Sequence, residues 1–229
     1  MRILLFILLL IYTTICNGQK YFGRVITQSI PDPLADVNII ADGNSYYANI
    51  FGYTPSPNVL LTLSPFATNG ATLHNFGVSA QQTSDMLADV NSQIIPLYNS
   101  AVLTNVILFQ EGGNDLYYNG RVDSAIARTT RYCNIVKAAG FKIIVSTLIH
   151  RNQSTAFGDN ASQYNTKIDN YNTELVALNG TGVFDGIIRP DLEAIFSTYS
   201  SGYHSDEVHP NQVGQNKYAD LYKAAILNL

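Results

Sequence analysis

Charge is the scarcest property of this sequence. Only 13% of its 229 residues are Asp, Glu, Lys or Arg, about half the usual share of a soluble domain. The 13 Lys and Arg stand against 17 Asp and Glu, a formal charge of −4. That balance excludes the basic excess of a dedicated nucleic-acid binder. Cysteine is nearly absent too: Cys16 and Cys133 are the only 2, which excludes a disulfide-rich scaffold. Tryptophan is missing, but 15 Tyr and 10 Phe help bring the hydrophobic share to 46%. A chain so apolar is not disordered. No linker, repeat or low-complexity block interrupts it.

Long hydrophobic runs are lacking except at the start. Arg2 precedes an apolar run over residues 3–11, followed by Tyr12-Thr13-Thr14-Ile15-Cys16-Asn17-Gly18. A positive charge, a short apolar stretch and small or polar residues after it make a secretory signal peptide. We expect residues 1–18 to be removed and residues 19–229 to form a single domain, secreted or periplasmic. Ile15 argues against a lipid anchor on Cys16, because lipoprotein processing wants a small residue there. No later run approaches the roughly 18 residues that a membrane span needs, so no stable membrane insertion is expected. Cys133 lies on an apolar helical pattern with no activating base beside it and reads as a buried, inert thiol. Asn152, Asn160 and Asn179 begin glycosylation sequons.

Beyond the leader, strand-like and helix-like segments alternate. Strands are expected over residues 37–41, 72–78, 105–109, 141–148 and 183–188. Helices are expected over 83–101, 122–139, 162–178 and 211–227. The strand runs are apolar throughout rather than alternating, so both of their faces are buried. This order implies a three-layer α/β/α sandwich, flavodoxin-like, around a parallel sheet of about five strands. Chemistry in such sheets gathers at the carboxyl ends of the strands.

Four short motifs stand at those places. Asp42-Gly43-Asn44-Ser45 puts a hydroxyl just past the first strand; alone, it is an ordinary turn serine. Asn75-Phe76-Gly77-Val78-Ser79 ends the second strand, where Gly77 permits close backbone approach. Gly112-Gly113-Asn114-Asp115 follows the third. Asp206-Glu207-Val208-His209-Pro210 precedes the last helix, and Asp and His three apart on a turn can face one spot. Each motif is weak, but their order and placement reinforce one another.

Together these motifs resemble the four blocks of the SGNH hydrolases, the GDSL-type esterase and lipase superfamily. The resemblance runs from Ile39 to the C-terminus. It implies Ser45 as nucleophile, His209 as general base, and Asp206 as the residue that orients His209. It also implies an oxyanion hole made by the N–H groups of Ser45 and Gly77 and the side-chain amide of Asn114, with no metal and no cofactor. The sequence departs from the family at Asn44, where an Asp is usual. No Gly-x-Ser-x-Gly elbow occurs, which argues against an α/β-hydrolase fold.

The expected reaction is hydrolysis of carboxylic esters, short-acyl or acetyl, of small molecules or glycans. An O-acyltransferase using the same triad and a non-catalytic carbohydrate-binding module are the rival readings. Tyr46, Tyr47, Tyr117 and Tyr118 follow the motifs directly and are candidates to line the cleft. Asp115 reads as a brace for its turn and His204 as a loop residue. His74 and His150 read as structural or surface histidines.

Overall fold

The computed structural model describes residues 37–156, 158–196 and 202–229. The expected signal segment lies outside them. The described residues fall within one compact unit, Asp32–Leu229.

The sheet is built from the apolar runs. β1 (Val37–Gly43) is buried along its whole length. It is flanked by β2 (Thr72–Gly77) and β3 (Thr104–Gln110), then β4 (Lys142–Ser146) and β5 (Gly186–Ile188). The order is β2-β1-β3-β4-β5, and every neighbouring pair is parallel. The 2-1-3-4-5 order is the flavodoxin-like one, and its topological switch point lies between β1 and β3. The turns carrying Ser45 and Asn114 leave the sheet there.

Alternate side chains point to opposite faces. Ile40, Ile107, Phe109, Ile143 and Val145 join one core cluster, covered by α3 (Thr83–Asp89), α5 (Val122–Ala138) and α6 (Ala161–Ala177). Ile39, Ala41, Val106, Leu108 and Ile144 join the other, beneath α1 (Ser56–Leu60) and α7 (Gln212–Ile226). The remaining short helices are α2 (Phe66–Asn69) and α4 (Gly113–Asn119). The three layers expected from the sequence are thus present.

Local signals set the helix ends. Asn160 and Gln163 form a reciprocal capping box on α6. Asn211 Oδ1 accepts from Val213 N and Gly214 N at the start of α7. The segment expected as one helix over 83–101 departs from that reading. α3 stops at Asp89, a wider turn follows over Val90–Ile94, and a tighter one ends at Leu97. Pro96 has no N–H to continue the ladder. The stretch after Ser45 is a single turn, closed by Tyr47 N donating to Asn44 O at 3.0 Å.

Cys133 is buried on α5, and burial pushes its thiol up to about 12. Among the described residues no helix is long and apolar enough to cross a membrane.

Candidate active site

Two loops meet above the switch point. The first is the turn after β1; the second is the Asp206–Pro210 segment before α7. Tyr46 Oη donates to Val208 O at 2.8 Å and ties them together. Ser205 N donating to His209 O at 2.8 Å, and Asn211 N to Tyr203 O at 2.9 Å, shape the second loop. His204, in that loop, is buried and bridges to Pro210.

This architecture brings three side chains into line. Asp206 Oδ2 lies 2.8 Å from His209 Nδ1, and His209 Nε2 lies 2.8 Å from Ser45 Oγ. A carboxylate can only accept, so Nδ1 carries the imidazole proton and Nε2 accepts from the Ser45 hydroxyl. Asp206 Oδ1 accepts from Val208 N at 2.7 Å and His209 N at 2.6 Å. Burial works to raise the Asp206 carboxyl, but these donors and the imidazole outweigh it and hold the carboxyl below its usual range. Burial lowers His209 from its ordinary value against the pull of Asp206, with Arg151 and His204 acting in the same direction as burial. The imidazole is therefore neutral at neutral pH, the form in which it can take a proton. The Phe51 ring lies 4.7 Å from the imidazole, centroid to centroid, tilted by 46°, with Phe51 46% exposed.

Asn114 stands in the first turn of α4. One N–H of its side-chain amide donates to Gln81 O at 2.9 Å, which orients the second. Gly112 adopts φ +117°, and a Cβ on it would lie 2.5 Å from the Tyr171 ring. A Cβ on Gly113 would lie 2.3 Å from the Arg151 guanidinium. Gly112 is thus required by close packing as well as by its backbone, and Gly113 leaves room for the buried Arg151 guanidinium. Asp115 accepts from Thr83 N at 3.0 Å and Thr83 Oγ1 at 2.7 Å, and pairs with Arg128 at 2.9 Å. It braces the α3–α4 junction.

Gly77 requires a correction. Its N–H donates to Asn75 Oδ1 at 2.9 Å, so it is already engaged. Its missing Cβ has a different cause: it would stand 2.3 Å from the Tyr47 carbonyl carbon and 2.5 Å from Ala48 N. Gly77 lets the end of β2 pass the nucleophile turn. Three residues on, Ala80 is exposed at φ +62°, a left-handed conformation that alanine seldom takes and that collects at functional sites. It immediately precedes Gln81, the anchor of Asn114.

The tyrosines divide. Tyr46 and Tyr47 are buried, and Tyr47 turns its ring into the core, where its Oη hydrogen-bonds Tyr222 Oη. Tyr117 is half-buried and Tyr118 exposed. His74 is exposed on β2, and His150 pairs with Asp169 at 2.8 Å. Two residues beneath the site escaped the sequence reading. Arg151 is buried with its guanidinium 5.3 Å from the centroid of the Tyr46 ring. Glu111 is buried beside Asn44 and Asn114; burial, with Asp115, raises its carboxyl from the usual range, and the Asn44 amide and the Arg151 guanidinium work against that rise. An acidic residue closing a strand run was the available signal for Glu111; Arg151, in a polar loop, had none. Among the described residues no group of three His, Cys, Asp or Glu side chains is placed to hold a metal ion.

A Ser–His–Asp relay at the carboxyl edge of a doubly wound parallel sheet defines the class of serine hydrolases. The profile of the GDSL-like lipase/acylhydrolase family matches residues 19–222, and the chain belongs to that family. Solved structures agree on the fold. A member of the lipolytic G-D-S-L family from Veillonella parvula superposes with a TM-score of 0.64 at 15% identity, covering 82% of this chain and 96% of that one. A GDSL-like lipase from Bacteroides thetaiotaomicron gives 0.57 at 18% identity, covering 85% and 87%. An acetyl-xylooligosaccharide esterase from Geobacillus Stearmophilus gives 0.54 at 17% identity, covering 84% and 94%. Curated relatives described as arginine deiminases of Borreliella afzelii are 26% identical over 151 residues, 59% of this chain. The chain covers only 36% of their length.

Proposed function

We propose that this chain is an exported serine esterase that hydrolyses short-acyl or acetyl esters, carried on small alcohols or carbohydrates. The observation that carries this reading is the unbroken relay from Ser45 through His209 to Asp206, with 2.8 Å at each step. Ser45 Oγ attacks the ester carbonyl while His209 Nε2 takes its proton, and the tetrahedral oxyanion forms. Its collapse breaks the ester C–O bond; His209 returns the proton to the leaving alcohol, leaving an acyl-Ser45. Water then repeats the sequence, and the acid and free Ser45 result. The oxyanion is met by Ser45 N–H and the second N–H of Asn114. In place of the engaged Gly77 we assign a further donor to the turn at Ala80.

Asn114→Ala is expected to lower kcat on the order of 10²–10³, with KM little changed. An unchanged kcat removes Asn114 from the oxyanion hole.

The substrate class rests on the surroundings. A cleft of about 330 Å³ lies beside the nucleophile turn, lined by Tyr47, Asn49, Thr54, Pro55, Asn58 and Asn75 among others. Exposed amides and a hydroxyl there suit the hydroxyl groups of a sugar. The acetyl-xylooligosaccharide esterase among the structural neighbours points the same way. The deciding assay compares p-nitrophenyl acetate with longer acyl esters, then follows acetate release from acetylated glycans. Turnover should be greatest with acetyl. A preference for long acyl chains would refute the substrate class, and the absence of all turnover would favour the non-catalytic carbohydrate-binding reading.

A further inference from the structure

We propose that Glu111 is a positioning residue. Its carboxylate locks the nucleophile turn to the turn that presents Asn114, and the asparagine at position 44 is the donor this lock requires. The inference rests on the reading of Ser45 as nucleophile and Asn114 as oxyanion donor.

The hydrogen-bond polarity carries the argument. Asn44 directly precedes Ser45 and is fully buried. Its Oδ1 accepts from Tyr46 N at 3.0 Å, which settles the orientation of the amide. Nδ2 must therefore face the other way, and it donates to Glu111 Oε2. Glu111 is 1% exposed. Its Oε1 accepts from Asn114 N at 2.7 Å and Asp115 N at 3.3 Å. One carboxylate thus grips the residue before the nucleophile with one oxygen. With the other it grips the backbone of the oxyanion donor. Asn114 is held twice, through its backbone by Glu111 and through its side chain by Gln81. Tyr171 Oη donates to Glu111 O at 3.1 Å and steadies the same residue from α6.

All three contacts run toward Glu111, so an Asp at position 44 would set acceptor against acceptor. Two adjoining buried carboxylates hold one proton between them and separate when it leaves. The other ionisable groups facing Glu111 are Asp115 on α4, Arg151 after β4, Tyr46 on the nucleophile turn, and Tyr164 and Tyr171 on α6. A Gln at position 111 creates the reverse fault. If its oxygen serves the Asn114 and Asp115 N–H groups, its NH₂ meets the NH₂ of Asn44. Exchanging both residues restores the match. The amide now at position 111 donates to the carboxylate now at position 44, whose second oxygen still accepts from Tyr46 N.

The test measures kcat, KM and melting temperature for wild type, Ser45→Ala, Asn44→Asp, Glu111→Gln and the double variant carrying both Asn44→Asp and Glu111→Gln, with p-nitrophenyl acetate. Each single variant at positions 44 and 111 should lose roughly ten- to hundredfold in kcat, with KM little changed. The deficit of Asn44→Asp relative to wild type should widen as pH rises and the shared proton leaves. The double variant should recover most of the loss. Single variants with wild-type kcat, or a double variant no better than the poorer single, would overturn the proposal. If a single variant melts early, the double decides: a folded, active double supports the lock, and one that neither folds nor turns over refutes it. An inactive wild type, or a Ser45→Ala variant as active as wild type, would instead unseat the nucleophile.

Discussion

Ser45→Ala abolishes ester hydrolysis and leaves the fold intact: that is the expected result. The hydroxyl is the only Ser45 group facing His209 Nε2. Its removal deletes the attacking atom without disturbing the Tyr47-to-Asn44 turn or the Tyr46-to-Val208 tie. Loss of a nucleophile that acts as one unit with its base costs on the order of 10⁶ in kcat. Residual rate comes from binding and the oxyanion donors alone. Initial rates with p-nitrophenyl acetate measure the loss, and an unchanged melting temperature shows that the fold is retained. A fluorophosphonate probe should label wild type at Ser45 and fail on the variant. Retained turnover, or labelling elsewhere, would move the nucleophile to another residue.

The second large effect is expected from Asp206→Asn. Asp206 uses its two oxygens for different work. Oδ1 accepts from the Val208 and His209 N–H groups and shapes the loop, while Oδ2 faces His209 Nδ1. In the variant, the amide oxygen keeps the two backbone donors, because the NH₂ group cannot accept them. The NH₂ group is then forced against Nδ1, which must shed its proton and accept. The imidazole proton moves to Nε2, and Nε2 can no longer receive the Ser45 proton. The loop survives while the base is in the wrong tautomer, a fault worth on the order of 10⁴ in kcat. Rates give the magnitude, and nitrogen NMR of the His209 ring gives the tautomer. A loss of only a few-fold, or an unchanged tautomer, would reduce Asp206 to a loop brace.

These two variants probe residues that were readable before any fold was known. Ser45, Asn114, Asp206 and His209 sit in short motifs, each at the end of an apolar run or before the last helix. Runs buried on both faces define strands, and strands separated by helices define a parallel sheet. A parallel sheet directs its carboxyl ends to one edge. Local chemistry and periodicity therefore sufficed for the layers and the strands, while the roles proposed for the site residues came from their resemblance to the blocks of a known family.

What required three dimensions was the assignment of partners. Tyr46 and Tyr47 follow the nucleophile and look like cleft residues, yet burial against α7 and the Val208 loop takes their rings into the core. Gly77 looks like an oxyanion donor, yet its N–H is held by Asn75 and its glycine is demanded by Tyr47 and Ala48. The end of the helical path at Ile95–Leu97 follows from Pro96, a local cause that the apolar periodicity concealed.

The scarcity of charge also takes on a different meaning. Two of the few acidic residues, Asp115 and Glu111, are spent inside the molecule, on Thr83 and Arg128 and on Asn44 and Asn114. Residues 44 and 111 are 67 positions apart, and no pattern along the chain links them. They meet because β1 pairs directly with β3, Gly43 opposite Gln110. A motif is a local object and can be read locally. The direction of a hydrogen bond between two buried side chains depends on which strands are neighbours, and pairing across the sheet decides that.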